Sequence, residues 1–324
     1  MRTVIPLTVL ATALACSLGT APANARARVF VASYGNDANP CTFGSPCKTF
    51  QHAHDVVDAG GEVTAIDSAG FGPIIITKAV TITSPDGVEA GIVPGASGNA
   101  ITIGVGTSDT VVLRGLTLDG GGVGFDGILF NAGGRLVVTN CVLQNFGNAG
   151  IQFFPASDSV GINFLVEDTL LSNVEVGVNY SPSNGSTTTA RGTIKNVVAT
   201  NNQFGFAIQT FNGGGATSVA IVNSVASENT SDGMYVNNGS NASPLVVSID
   251  NSTFSGNGSN GITGSGTSKI TLGRSVITAN SNNGIFNSTS PNTFYSYKDN
   301  RINENATDIC VAGCNALNTT FALQ

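Results

Sequence analysis

Apolar and polar residues alternate in short runs along most of the chain. The runs are rich in Val, Ile, Thr and Phe, and Asn, Gly or Ser residues bound them. Alternation with a period of two is typical of β-strands, whereas an amphipathic helix has a period of 3.6 residues. Because the runs follow one another roughly every eight to ten residues, the pattern predicts an all-β fold of many short strands.

The short runs form a longer repeat, in which an Asn follows a β-rich stretch and a Gly with an apolar residue after it comes next. A fixed period predicts a solenoid whose coils stack on one another. Roughly nine to ten coils would fill the segment from Glu62 to Ile309, and at about 4.8 Å per coil they would form a rod on the order of 45 Å long. We interpret the Asn as a stacked ladder that fixes one turn in each coil. The repeated residues are Asn145, Asn173, Asn201, Asn229, Asn257, Asn280 and Asn305, with Gly150, Gly177, Gly205, Gly233, Gly261 and Gly284.

Two segments near the N-terminus carry a family resemblance. Residues Arg28–Cys41 (Arg-Val-Phe-Val-Ala-Ser-Tyr-Gly-Asn-Asp-Ala-Asn-Pro-Cys) and Pro46–Ala53 (Pro-Cys-Lys-Thr-Phe-Gln-His-Ala), with the coils that follow, resemble secreted bacterial parallel β-helix proteins of the pectate-lyase-like superfamily. The resemblance implies a right-handed β-helix with an N-terminal helical cap, which Lys48–Asp58 matches. The apolar face of that cap would consist of Phe50, Ala53, Val56 and Val57. Because the superfamily contains lyases, hydrolases, epimerases, adhesins and proteins of no known activity, it leaves the function open.

The N-terminal residues have the features of a signal peptide. Arg2 precedes the apolar stretch Val4–Leu18, and Ala23-Asn24-Ala25 offers a small-x-small cleavage site, so we expect export after cleavage near Ala25. An alternative is a lipoprotein acylated at Cys16. No later stretch has the length and apolarity of a transmembrane helix. We therefore expect a signal peptide at 1–25, a first strand and cap helix at 26–61, β-helix coils at 62–309 and a closing segment at 310–324.

Charged residues are scarce: 13 Lys and Arg and 20 Asp and Glu make up 10% of the 324 residues, and the formal net charge is −7. The hydrophobic content of 41% excludes a disordered chain, and the negative charge disfavours nucleic acid as a partner. Identical residues pile up in parallel coils, where like charges would repel, so stacking itself favours uncharged side chains. With two His and no Trp, His-rich metal sites and Trp-lined sugar clefts are disfavoured.

The cysteines after the signal peptide fit an oxidising compartment. Cys41 lies close to Cys47 and Cys310 lies close to Cys314, and we expect each pair to form a local disulfide. Cys141 stands alone within a hydrophobic repeat, which favours a sheltered structural thiol.

Pleating predicts two outward columns of side chains beside the repeated Gly. They contain no carboxylate or base, and their amide, hydroxyl and aromatic groups suit hydrogen bonding and ring stacking with a sugar chain. An equally open alternative is a merely solvated strand face. The columns are Leu129, Gln152, Asn179, Ala207, Tyr235, Thr263 and Phe286, then Asn131, Phe154, Ser181, Gln209, Asn237, Ser265 and Ser288. The candidate sugar-binding residues among them are Gln152, Phe154, Asn179, Gln209, Tyr235, Asn237 and Phe286.

Candidate catalytic residues are few. Asp119 and Asp126 flank a Gly-rich stretch, with Arg114 or Arg135 as a base or substrate clamp, although a Gly-rich turn with incidental Asp is favoured. Gly-Phe-Asp126 resembles part of the active-site phrase of mannuronan C5-epimerases, but the Pro-His-x-Asp that should follow is absent. Asp232 occupies the slot of Asp126 four coils later, roughly 19 Å away, which is too far for a glycosidase pair.

Other chemistry has little support. The clustered carboxylates that would hold Ca²⁺ for a lyase cannot be assembled, although loop carbonyls could bind Ca²⁺ without a trace in the sequence. His52 and His54 face different ways on the cap helix. Glu167 and Lys195 occupy the same slot of adjacent coils and predict an ion pair between them.

The sequence thus predicts a secreted or periplasmic β-helix that binds extracellular polysaccharide along an uncharged, partly aromatic face, and it identifies no cofactor and no oligomeric state. The alternatives are a polysaccharide lyase, epimerase or hydrolase, and a surface adhesin or structural protein.

Overall fold

The computed structural model describes residues 26–156, 161–211, 213–239, 243–288 and 293–310. The expected signal peptide, the alternative acylation site at Cys16, the second disulfide partner Cys314 and most of the closing segment lie outside these residues. No helix in the described ranges is long and apolar enough to cross a membrane.

The chain winds through three parallel sheets, and each coil adds one strand to sheet 1, then sheet 2, then sheet 3. Within the described residues, sheet 1 has eleven strands and the other two have ten each. Sheet 1 consists of Arg28–Val31, Gly61–Ala65, Val80–Thr83, Thr110–Arg114, Arg135–Thr139, Gly161–Glu167, Thr189–Lys195, Thr217–Val222, Leu245–Asp250, Lys269–Gly273 and Thr293–Ser296.

Sheet 2 consists of Ala69–Gly70, Ala90–Ile92, Leu116–Gly124, Val142–Phe146, Leu170–Ser172, Val198–Thr200, Val225–Ser227, Thr253–Ser255, Val276–Thr278 and Arg301–Asn303. Sheet 3 consists of Ile74–Ile76, Ile101–Gly104, Ile128–Ala132, Ala149–Phe153, Val176–Tyr180, Phe204–Gln209, Met234–Asn237, Ile262–Ser265, Asn283–Asn287 and Thr307–Ile309. The predicted all-β parallel β-helix is therefore confirmed.

The core fills the space enclosed by the three sheets, where the inward residue of each pleat is apolar. Aromatic rings stack along part of this core. The ring centroids of Phe130 and Phe153 lie 5.6 Å apart, those of Phe153 and Phe164 4.3 Å, and those of Phe164 and Tyr180 6.4 Å. Only Gly fits at position 192, because the Phe164 ring occupies the space that a Cβ would need.

A short helix, α1 (Phe50–Val56), covers the first strand of sheet 3. Thr49 caps it by accepting from the His52 N–H. The Gln51 side chain accepts from the backbone N–H of Ile75 at 2.8 Å, and His54 Nε2 accepts from that of Thr77 at 3.3 Å. These contacts occupy backbone donors of an edge strand that would otherwise be open to pairing. The helix is shorter than the predicted Lys48–Asp58, because Val57 already has extended dihedrals.

The predicted disulfide between Cys41 and Cys47 is present, and both residues are fully buried. Their backbones hydrogen-bond to Phe30 on both sides, so the bridge fastens the segment after the first strand against that strand. Cys141 is buried and free, as expected. Burial raises the pKa of its thiol to about 11.

The repeated asparagines fall into two columns rather than one. Asn145, Asn173 and Asn201 lie at an outer corner between sheets 2 and 3 with φ from 54° to 63°, the left-handed region that Asn tolerates. Asn229 and the repeated asparagines after it lie one position further along the coil. They are in register with Asn202 and not with Asn201, since Thr200 pairs with Ser227. The single predicted ladder is corrected accordingly: an outer turn column and an inner Asn ladder run side by side.

The inner Asn ladder hydrogen-bonds to both adjacent coils. The backbone N–H of each of the first four members donates to the side-chain oxygen of the next member, and each side-chain amide donates to a carbonyl of the preceding coil. This arrangement satisfies buried polar groups where the chain turns from sheet 2 to sheet 3. Its members are Asn202, Asn229, Asn257, Asn280 and Asn305.

Candidate functional site

The outer face of sheet 3 carries the two predicted columns of side chains, and we call it the sheet 3 face. Strand register confirms that the first column is continuous. The register pairs are Leu129 with Gln152, Gln152 with Asn179, Asn179 with Ala207, Ala207 with Tyr235, Tyr235 with Thr263 and Thr263 with Phe286. In the second column, Gln209 pairs with Asn237 and Asn237 with Ser265.

Three amides on this face are joined by hydrogen bonds across successive coils. Asn179 Nδ2 donates to Gln152 Oε1 at 2.9 Å, and Gln209 Nε2 donates to Asn179 Oδ1 at 3.4 Å. Gln152 is buried, and its own amide donates to the Phe153 carbonyl. Because each amide holds its neighbour, their remaining donors and acceptors have fixed directions.

The aromatic residues on the sheet 3 face are spread over several coils. Asn237 Nδ2 donates to the Tyr235 hydroxyl at 3.0 Å, and the Tyr235 ring packs 6.1 Å from that of Phe204. Phe154, 46% exposed, lies beyond the end of an earlier strand, and Phe286 lies two coils after Tyr235. The amides therefore form one connected group, whereas the aromatic residues are separate contacts.

The sheet 3 face is uncharged over most of its length. Its strands from Ile74 to Asn287 contain no Asp, Glu, Lys or Arg. The polar groups available to a ligand there are amides and hydroxyls, which both donate and accept hydrogen bonds at any ordinary pH.

Asp119 lies in a sheet 2 strand with its carboxylate already occupied. Gln144 Nε2, Asn145 Nδ2 and the Gly121 N–H donate to it at 2.8 to 2.9 Å. Partial burial acts to raise the pKa of Asp119, but these three hydrogen bonds outweigh it and hold the pKa below its ordinary value. The carboxylate thus stays ionised and anchors a Gly-rich turn.

Asp126 is 1% exposed and lies in the turn before a sheet 3 strand. Its Oδ1 accepts from Asn148 Nδ2 at 2.8 Å and from the Ala149 N–H at 3.0 Å. Burial raises the pKa of Asp126, and these two hydrogen bonds oppose the rise. In later coils the same slot holds Asp232 and Asn260, where the Asn260 N–H donates to Asp232 Oδ1 at 2.9 Å.

The candidate catalytic residues lie on different parts of the coil. Arg114 is exposed at the end of a sheet 1 strand, Asp119 lies in sheet 2, and Asp126 is buried before sheet 3. Within the described residues, Arg114 forms no ion pair with either Asp. The structure therefore gives both carboxylates local partners and does not gather the three groups into one site.

Within the described residues, one group of three side chains has the spacing of metal ligands: Cys41, Cys47 and His52. Two of these are joined in the disulfide and cannot act as thiolate ligands. The described carboxylates do not form the multiple-oxygen cluster that Ca²⁺ prefers.

The predicted ion pair is present on sheet 1, where Glu167 and Lys195 are in register and Lys195 Nζ lies 2.5 Å from Glu167 Oε1. The sequence did not indicate the cleft nearby, between Arg135 and Arg191. These two residues and Asn163 occupy the same position of the repeat in successive coils, a signal that could be recognised only once the register of sheet 1 was known.

The fold is that of a parallel β-helix protein with a long uncharged outer face, and solved structures of this kind match the chain. The match to the pectate lyase Pel9A has a TM-score of 0.50 at 15% identity and covers 89% of this chain and 78% of that one. The match to the A-module of the mannuronan C-5 epimerase AlgE4 from Azotobacter vinelandii has a TM-score of 0.51 at 15% identity and covers 80% of this chain and 91% of that one. The match to XylC in complex with xylose has a TM-score of 0.61 at 8% identity and covers 86% of this chain and 70% of that one.

No protein-family model matches the chain, and no curated protein sequence matches it significantly. At these identities the structural likeness establishes the parallel β-helix fold alone.

Proposed function

We propose that this protein binds extracellular polysaccharide along the sheet 3 face. The observation that carries the proposal is the hydrogen-bonded group Gln152, Asn179 and Gln209 on a face without charge. Saccharide hydroxyls both donate and accept hydrogen bonds, and a fixed amide can serve either role with little loss of conformational freedom.

The aromatic side chains would add stacking contacts. Tyr235 and Phe154 expose ring surface that can pack against the apolar face of a sugar ring. A polymer that follows the coil axis would meet amides in the coils of Gln152, Asn179 and Gln209 and an aromatic ring in the coil of Tyr235, so binding would extend over several sugar residues.

The structural neighbours support a carbohydrate ligand. Their names identify a pectate lyase, a mannuronan C-5 epimerase and a protein in complex with xylose. We propose only binding for this chain, because Asp119 and Asp126 are engaged in local hydrogen bonds.

Export is part of the proposal. Residues 1–25 would be removed as a signal peptide, and the Cys41–Cys47 disulfide suits an oxidising compartment. The intact mass of the exported chain is the test: a start near residue 26 supports cleavage there, whereas an acylated chain starting at Cys16 supports the lipoprotein alternative.

The binding test uses the purified mature chain and a panel of insoluble neutral and acidic polysaccharides, with and without Ca²⁺. We expect retention without change in polymer size, weakened by Tyr235→Ala and by Asn179→Ala. Tyr34→Ala is the matched control, since Tyr34 is 69% exposed on the segment after the first strand.

Other outcomes would replace the proposal. Polymer shortening or unsaturated ends that disappear in Asp126→Asn would establish an enzyme. Retention that no sheet 3 face substitution weakens would move the binding site elsewhere, and absence of retention would favour the adhesin or structural alternative.

A further inference from the structure

Sheet 1 carries an excess of positive charge in an acidic chain. Its strands contain six basic and three acidic residues, whereas the whole chain has a formal net charge of −7. Two of the basic residues form ion pairs within the sheet, Arg28 with Glu62 and Lys195 with Glu167. The basic residues are Arg28, Arg114, Arg135, Arg191, Lys195 and Lys269, and the acidic residues are Glu62, Glu167 and Asp250.

Two arginines lie in one outward column of this sheet. Arg135 is in register with Asn163, and Asn163 with Arg191, so two strand spacings separate the arginines, about 10 Å. Both side chains are exposed. In the described part of the chain, neither guanidinium has a hydrogen-bond or ion-pair partner.

A cleft of about 310 Å³ lies between the two arginines, and Leu165 and Thr193 also line it. It meets a larger cleft of about 610 Å³, because Asn163 and Arg191 line both. The larger cleft continues along the sheet past Ser218. Together they form a groove parallel to the coil axis, which we call the sheet 1 groove.

Two unpaired guanidiniums in one column gain nothing from each other for folding. Their charges repel each other across about 10 Å, and within the described residues neither guanidinium supports a neighbouring coil by a hydrogen bond. Elsewhere on the sheet, stacked charges of opposite sign pair directly, as Lys195 does with Glu167. A ligand that brings negative charge to the groove would satisfy both arginines.

We propose that the sheet 1 groove binds anionic saccharide chains through their carboxylate or sulfate groups. Arg135 and Arg191 each present a planar fork that can hold such a group with two hydrogen bonds. Asn163, between them, can bond a hydroxyl of the intervening sugar. This site lies on a different face from the polysaccharide-binding surface proposed on sheet 3 and does not rest on it.

The test measures binding of polygalacturonate fragments, dextran sulfate and uncharged dextran to the mature chain by calorimetry at low and moderate salt. We expect both charged polymers, or the one whose acid group fits, to bind more tightly than dextran and to weaken as salt rises. Arg135→Ala and Arg191→Ala should each weaken that binding roughly tenfold. Lysine at either position should restore part of it, since the charge remains and the fork is lost.

Arg301→Ala is the matched control, because it removes the same charge from an exposed position on sheet 2. Equal weakening by Arg301→Ala would show that net charge alone attracts the polymer and would overturn the proposal. So would unchanged binding in the double variant Arg135→Ala/Arg191→Ala. A negative result in this calorimetric test would not affect retention of the chain on neutral polysaccharide or the dependence of that retention on Tyr235. The two proposals can therefore fail independently of each other.

Discussion

The backbone N–H and the side-chain amide of Asn229 both donate to one oxygen, Oδ1 of Asn257 in the next coil, at 3.2 and 2.9 Å. Asn257 repeats both contacts with Asn280 at 3.1 and 2.8 Å. Asn229 and Asn257 thus depend on the next coil for hydrogen bonds of their own, so the inner Asn ladder couples the stability of neighbouring coils.

Removing one inner member should be costly, whereas changing its chain neighbour should not. Asn202→Ala would leave the Val174 N–H and the Leu171 carbonyl without their partner. We expect the free energy of unfolding to fall by about 2 to 3 kcal/mol in denaturant titrations.

The adjacent residue provides the control. Asn201 is exposed with φ of 56°, so Asn201→Gly should change stability by less than about 0.5 kcal/mol. Equal losses in the two variants would contradict the assignment of inner and outer columns.

A methyl group at position 192 should disturb the aromatic core. Gly192→Ala would place Cβ against the Phe164 ring, and a close-packed interior resists that displacement. We expect a loss of roughly 1 to 3 kcal/mol, measured by thermal or denaturant unfolding.

Two further variants identify the cause of that loss. Gly44→Ala should be nearly neutral, since nothing lies within 4 Å of the added Cβ. Phe164→Leu combined with Gly192→Ala should cost less than the sum of the two single changes; simple additivity would count against a direct clash.

Stability should fall as the pH drops below about 6.5, the ordinary pKa of His. Burial lowers the pKa of His54; the nearby Lys78 charge adds to this effect, while Asp55 opposes it. The folded state binds a proton on His54 less readily than the unfolded state. The contribution of neutral His54 to the free energy of unfolding is therefore complete above the unfolded pKa and is lost as the pH falls from there through the lower, folded pKa.

The readout is the free energy of unfolding at pH 7.5 and pH 5.5. His54→Gln should show a smaller decrease between these pH values than the wild type. A wild-type slope that survives in His54→Gln would assign the effect to other groups.

Cys141 should be unreactive in the folded protein. With its pKa at about 11 and its side chain buried, almost no accessible thiolate exists at pH 8. Alkylation followed by peptide mapping should find Cys141 unmodified in the native chain and fully modified after denaturation. Rapid native labelling would show that the surrounding coils open readily.

The fold was predictable because alternation and a long repeat are direct consequences of strand stacking. The first column of the sheet 3 face was also predictable, since the repeated Gly marks the same point in each strand. The prediction of a single Asn ladder was wrong because the register of sheet 2 does not keep a constant interval. Leu171 pairs with Ala199, but Ala199 pairs with Ala226, one residue earlier than the spacing of the repeated asparagines would require. Residue counts along the chain do not show whether the interval becomes shorter before or after the turn between sheets 2 and 3.

The candidate sites were harder to predict for a related reason. Asp126 was recognised as a carboxylate, but its burial follows from its contacts with the next coil, where Asn148 Nδ2 and the Ala149 N–H donate to it. Arg135 was considered as a base, whereas its partner in the groove, Arg191, is distant in the sequence. Only the register of sheet 1 makes the two arginines members of one column.

The inner Asn ladder keeps the same contacts while the coils change length. Asn229 meets Asn257 after 28 residues, and Asn257 meets Asn280 after 23. The missing residues come from the connection between sheets 3 and 1, since Val236 pairs with Gly264 but Val246 pairs with Lys269. In these coils, the connection between sheets 3 and 1 therefore changes length while the ladder contacts stay the same, so the chain beside the sheet 1 groove can vary without loss of the hydrogen bonds that hold the coils together.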